Sequence, residues 1–256
     1  MINSGGSPEI LTFDSPESLA HGAADWFIQV AQESVHRDGM FRVALSGGST
    51  PKSLFRVLAS PTLRERVPWD QTQIFFSDER FVPLVSEESN YRMARDELLS
   101  KVTINERFTH PVVTEDVSPE DAADQYAESI RRVFRFAPDE VPHFDLILLG
   151  LGPDGHTASL FPGSEALNEE TKIVAPNYVS KMDAWRITFT YPLINAARRV
   201  AFLVEGDEKA ERVAEVMQGV QELPASRVLP TNGELTWLLD TAAASRLSHG
   251  SSEAVD

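Results

Sequence analysis

The chain has 256 residues, 42% of them hydrophobic and 24% charged, which is enough for a sizeable core and indicates neither a disordered nor a membrane class. A formal charge of −16 argues against nucleic acid or an anionic membrane as partner, and the absence of cysteine excludes disulfides, thiolate metal sites and a cysteine nucleophile and fits a cytoplasmic protein. A phosphorylated or otherwise anionic ligand would be repelled by this field unless a local group of Arg and Lys reverses its sign inside a cleft.

The first eight residues are rich in Gly and Ser, and residues 248–256 are polar without an apolar anchor, so both are expected to be mobile tails around one α/β domain over residues 9–247. No apolar run approaches the roughly 20 residues that a membrane span needs. Ile10 to Phe13 reads as a short strand. Asp14-Ser-Pro-Glu17 resembles a capping box with Pro in the first turn, and the helix after it carries Leu19, Ala23, Trp26, Phe27, Val30 and Ala31 on one face up to Gly39. Arg42 to Ser46 is a second strand and runs into Gly47-Gly48-Ser49-Thr50-Pro51. There the glycines can present amides to an anion, and Thr50 can cap a helix whose first position is Pro51; an ordinary strand-to-helix turn is equally good chemistry for this stretch. Gln73 to Ser77 is a third strand, ending in the charges Asp78-Glu79-Arg80. Asn90 to Leu99 and Ser118 to Phe134 follow as packing helices.

Phe144 to Gly163 is the stretch around which the chain is arranged. Leu146 to Leu149 is apolar without alternation, as in a parallel strand covered on both faces, and Gly150, Gly152 and Gly155 then shape a turn that presents Asp154 and His156 at the strand's carboxyl end, where open α/β sheets bind ligands. Beyond it, Arg186 to Thr190 alternates as a strand, Arg199 to Val204 is another buried run, and Lys209 opens a helix with Ala210, Val213, Ala214 and Met217 on its apolar face. Trp237 to Asp240 is compatible with strand or helix. Strands alternating with helices predict a Rossmann-like α/β fold, a mostly parallel sheet with helices on both faces.

Gly150-Leu-Gly152-Pro-Asp-Gly155 matches the letters of a dinucleotide fingerprint, but Pro153 and the His after the third glycine do not suit a helix start beneath a pyrophosphate. His21, His36, His110, His143, His156 and His249 include no pair at metal-ligand spacing, and no Gly-x-Ser-x-Gly elbow is present, so neither a metal nor a serine nucleophile is expected. Asp154 is close enough in sequence to orient the His156 imidazole, and an imidazole, titrating ordinarily near ~6.5, suits general-base work at neutral pH.

Taken in order, Ser46-Gly-Gly-Ser-Thr-Pro51, Ser77-Asp-Glu-Arg80 with Val82-Pro83 and Ser89-Asn90-Tyr91, Gly150 to Pro162, Arg186-Ile-Thr188 and Gly206 to Lys209 resemble the 6-phosphogluconolactonases over about Ile10 to Ala244. The resemblance implies hydrolysis of 6-phosphogluconolactone without cofactor or metal, and the fold shared with glucosamine-6-phosphate deaminases and ribose-5-phosphate isomerases. It implies His156 as the base that activates water, with Asp154 beside it, Gly47, Gly48, Ser49 and Thr50 as the anion loop, Asp78 facing the sugar, and Arg80, Arg186 and Lys209 receiving phosphate or sugar. Lys181 joins the same set, although Met182-Asp183 stands where family members commonly carry Pro-Pro. The expected partner is a small sugar phosphate, bound by a cytoplasmic monomer or homodimer, with no nucleic acid or membrane involved. One alternative is a deaminase-like isomerase, whose Ala-Phe-Asn-Glu-Pro run is replaced here by Thr157-Ala-Ser-Leu-Phe-Pro162. The other is a non-catalytic sugar-phosphate sensor, which would normally carry a DNA-binding helix-turn-helix that neither tail is long enough to hold.

Overall fold

The computed structural model describes residues 7–137 and 140–247, so the tails expected at either end fall, apart from residues 7 and 8, outside the described residues. Strand β1 (Glu9–Phe13) leads into helix α1 (Pro16–Asp38). The capping box that opens this helix pairs Ser15 with Ser18, one residue later than Asp14 and Glu17, because Pro16 occupies the first helical position and Ser15 is then the residue whose hydroxyl meets the free amide. The chain continues through β2 (Phe41–Leu45), α2 (Ser49–Leu58), β3 (Thr72–Phe76), β4 (Asp78–Arg80), α3 (Asn90–Glu97), α4 (Pro119–Phe134) and β5 (Leu146–Leu149). It ends with β6 (Val174–Val179), β7 (Ala184–Phe189), α5 (Tyr191–Asn195), β8 (Arg199–Val204), α6 (Ala210–Met217) and β9 (Glu234–Asp240).

Six strands form a sheet in the order β1-β9-β8-β5-β2-β3, with every pairing parallel. The ambiguous Trp237 stretch is a strand because it is taken up between β1 and β8, where the Trp237 ring stacks on Phe202 at 4.0 Å. The side chains of β5 divide between two separate cores. Leu146 and Leu148 pack with α1, α2 and α3 on one face, while Ile147 and Leu149 pack with α4 on the other. The unbroken apolar run thus buries both faces of a central strand, and helices cover both sides as expected.

The sequence reading did not anticipate a second sheet, the antiparallel trio β4-β7-β6, which packs over the α4 face. Asp78, Glu79 and Arg80 belong to it as a strand rather than to a solvated turn, with Asp78 opposite Thr188, Glu79 opposite Ile187 and Arg80 opposite Arg186. The charged composition of β4 hid it, since its strand character comes from pairing with β7 and not from its own propensity.

Candidate active site

Along the main sheet the chain order reverses between β5 and β2, and the carboxyl ends of strands beside such a switch point bound a crevice. The four adjacent strands β8, β5, β2 and β3 deliver Glu205 to Lys209, Gly150 to His156, Ser46 to Thr50, and Ser77 onward, respectively, to that crevice. A cavity of about 260 Å³ lies there, lined by Gly47, Gly48, Ser49, Thr50, Asp78, Arg80, Asn90, His156, Glu205 and Lys209 among others.

The turn after β5 is built around the imidazole. Gly152 donates its amide to the His156 carbonyl at 2.8 Å, and a Cβ on Gly152 would lie 1.9 Å from His156 Nδ1, so only glycine lets the ring lie across this turn. Phe161 stacks on the ring with centroids 4.1 Å apart. Nδ1 meets Asp154 Oδ1 at 2.5 Å, and Lys181 Nζ donates to Asp154 Oδ2 at 3.0 Å. Burial pushes the Asp154 carboxyl up, but the hydrogen bonds from His156 and Lys181 outweigh it and hold the group at about 2, so it is ionised at neutral pH. With an ionised acceptor at Nδ1, the proton belongs on that nitrogen and Nε2 keeps its lone pair.

The loop after β2 differs from its expected form in one respect. The helix N-cap is Gly48, with no side-chain cap, so Thr50 and Pro51 sit inside the first turn. The amides of that first turn lack a side-chain acceptor. Opposite this loop, Arg80 Nη1 donates to Asn90 Oδ1, and Arg186, its cross-strand partner, lines an adjoining cavity of about 510 Å³ that shares Arg80 and Gly48. Burial and then the neighbouring Arg80 charge pull the Arg186 guanidinium below its ordinary value. Among the described residues, Arg80, Arg186 and Lys209 have no carboxylate within 4.0 Å, whereas Lys52, Lys101, Lys172 and Lys181 are each ion-paired.

Of the residues picked from the sequence, His156, Gly47, Gly48, Ser49, Thr50, Asp78, Arg80 and Lys209 share one cavity. Asp154 stands behind His156, and Lys181 stands behind Asp154 on the far side, where it borders a different groove. Asp78 is partly committed, since its Oδ2 accepts from Ser159 Oγ at 2.7 Å, a bond that ties the segment after His156 to the small sheet. Sequence reasoning missed Asn90 and Glu205. Asn90 stands in the quoted Ser89-Asn90-Tyr91 but was assigned no role. Glu205 could have been found as the polar residue closing the apolar run of β8; burial pushes its carboxyl up, while Thr50 opposes the shift. Among the described residues no group of three or more His, Cys, Asp or Glu side chains is arranged to hold a metal, and no helix is long and apolar enough to cross a membrane.

Similarity to known proteins runs over nearly the whole chain. The 6-phosphogluconolactonase of Nostoc sp. is 40% identical over 233 residues, covering 90% of this chain and 95% of that protein. The 6-phosphogluconolactonase of Rattus norvegicus is 41% identical over 245 residues, with 93% of each chain covered. Among solved structures, the 6-phosphogluconolactonase from Trypanosoma cruzi superposes with a TM-score of 0.83 at 33% identity, covering 97% of this chain and all of that one. Residues 14–237 match the family described as glucosamine-6-phosphate isomerases/6-phosphogluconolactonase, and to that family the chain belongs.

Proposed function

We propose that this protein hydrolyses 6-phosphogluconolactone to 6-phosphogluconate, the lactone-opening step of the oxidative pentose phosphate pathway. The observation that carries the reading is one cavity holding an imidazole anchored through Nδ1 together with cations that have no carboxylate within 4.0 Å among the described residues. In this reading His156 Nε2 takes a proton from water as the oxygen attacks C1 of the lactone. The resulting tetrahedral intermediate collapses with cleavage of the bond between C1 and the ring oxygen, and the proton held on His156 passes to that oxygen. The carboxylic acid so formed releases water's second proton to solvent, and the product leaves as a carboxylate with a free hydroxyl. Asp154 stabilises the transient imidazolium and fixes the tautomer, while Lys181 acts one step further back, on Asp154. Arg80, Arg186, Lys209 and the first-turn amides of α2 receive the phosphate, and Asp78 faces the sugar. A δ-lactone is already an activated ester, so positioning with general-base catalysis worth about 10²–10⁴-fold suffices without a covalent intermediate.

The test is release of acid from freshly generated 6-phosphogluconolactone by the purified protein, with spontaneous opening subtracted. A rate no higher than spontaneous would end this reading, and ammonia release from glucosamine 6-phosphate would favour the deaminase-like alternative. A cytoplasmic location and a monomeric or dimeric state belong to the same proposal, to be checked by fractionation and by mass in solution.

A further inference from the structure

The acceptor that holds Arg80 is an amide, where an ion-pairing carboxylate would be the ordinary choice. Asn90 is 2% exposed. Its Oδ1 accepts from Arg80 Nη1 and its Nδ2 donates to the Asp78 carbonyl at 2.9 Å, so a donor-only guanidinium on one side and an acceptor-only carbonyl on the other dictate which way the carboxamide faces. The same Oδ1 lies where a Cβ on Gly47 would be, 1.9 Å away, so the amide is in contact with the anion loop as well as with the arginine.

Beneath Asn90 lies Glu79, 0% exposed. Its Oε1 accepts from the amides of Arg80 and Asn90, each at 2.8 Å, and its Oε2 accepts from the Tyr91 amide at 2.8 Å and from Ser89 Oγ at 3.1 Å. Ser89 Oγ in turn accepts from the Arg92 amide, which leaves its proton for Glu79. One buried carboxylate therefore caps the start of α3 and links it to β4, and so sets Asn90 and Arg80 relative to each other.

We propose that Asn90, held in register by Glu79, is a specificity-determining residue: it orients the Arg80 guanidinium through a neutral acceptor, so that a full positive charge stays available to the substrate's phosphate. The proposal rests on the lactonase reading above. A carboxylate at position 90 could accept the same bond from Arg80 but would neutralise the cation in advance and give up the donor to the Asp78 carbonyl. Glu79 supplies rigidity without doing this, because its oxygens are taken up by backbone amides and a hydroxyl rather than by the guanidinium.

The decisive variant is Asn90→Asp, nearly isosteric, with kcat/KM measured on 6-phosphogluconolactone and on gluconolactone. The ratio of the two should fall by about tenfold or more, the size of one charge-assisted hydrogen bond, while the gluconolactone value stays within about threefold. An unchanged ratio, or an equal loss on both lactones, overturns the proposal, since a merely structural role would act on both alike. Asn90→Ala, which removes the acceptor without adding charge, should lower the ratio by a smaller factor, and it decides the matter if the Asp variant does not fold; no change there overturns the positioning role. Calorimetric binding of 6-phosphogluconate against gluconate separates this inference from the functional reading. If the wild type opens neither lactone, the lactonase reading fails, and the inference then stands only if Asn90→Asp weakens 6-phosphogluconate binding at least about tenfold and leaves gluconate unaffected.

Discussion

The two sides of the cleft are built on opposite electrostatic plans. On the β5 side, Lys181, Asp154 and His156 form a chain in which each charge already has its partner, and the imidazole is clamped between Phe161 and the bare backbone of Gly152. On the other side, Arg80 and Arg186 face each other in register across β4 and β7 and have no carboxylate within 4.0 Å among the described residues. Like charges directly opposite one another weaken a strand pair. The first side has its charges paired within the chain, whereas under the proposed function the guanidiniums of the second would find their partner in the substrate's phosphate. In a chain carrying −16, guanidiniums without a carboxylate within 4.0 Å among the described residues are the positive charges that an anionic ligand could pair with.

Experiments that separate the two sides begin with the imidazole. His156→Ala should lower kcat by about 10²–10⁴-fold with little change in melting temperature; near-normal turnover would remove the β5 side from the chemistry. Next in size is the substrate's phosphate. Gluconolactone should be opened with kcat/KM lower by at least about 10²-fold, because remote binding energy positions the reacting carbonyl, and equal efficiency on both lactones would leave the unpaired cations without a purpose.

Asp154→Asn comes third, with a loss in kcat of about 10²-fold through misorientation of the ring and little change in KM. Its pH dependence carries a sign. The Asp154 carboxyl is held below its ordinary value, at about 2, so the stability it contributes is present above the unfolded value of 3.8 and is lost only as pH falls toward 2. Its charge is therefore constant through the neutral range, so the loss caused by Asp154→Asn should be the same throughout that range. A loss that grows or shrinks with pH near neutrality would mean that the paired side is less settled than its geometry implies.

Smaller effects sharpen the contrast. Arg186→Ala should shrink the preference for the phosphorylated lactone while changing stability by no more than about 0.5 kcal/mol, since it also relieves repulsion from Arg80; a marked loss of melting temperature would argue that the pair is structural. Lys181→Ala should have the least effect. Its side chain is 66% exposed, and an exposed pair is worth about 0–1 kcal/mol, or at most about fivefold in rate.

How far this contrast could be seen in advance depended on the element. The parallel sheet and the position of His156 were legible because Leu146 to Leu149 is apolar throughout and because glycines recur where side chains would collide. The small antiparallel sheet was not. Asp78 to Arg80 carries no strand signal of its own, and Val174 to Val179 contains a proline and lies at an edge. Without that sheet, nothing in the sequence brings Arg80 and Arg186, separated by more than a hundred positions, into register. For the same reason Glu79 read as one charge in a polar run, although it is a buried hub. Two helix caps moved, by a residue at Ser15 and by two at Gly48, whereas Ser118 caps α4 where the sequence places its start.

The edge of the main sheet has a consequence for synthesis. Strand β1 leaves the ribosome before the strands of the cleft but, among the described residues, pairs only with β9, with Glu9 and Thr236 separated by 227 positions in sequence. The four strands that carry the cleft, β2, β3, β5 and β8, can pair among themselves before β9 exists. A released chain ending after Val204 would thus hold the cleft strands with an open edge at β8, and β1, made before all of them, could dock only once β9 exists.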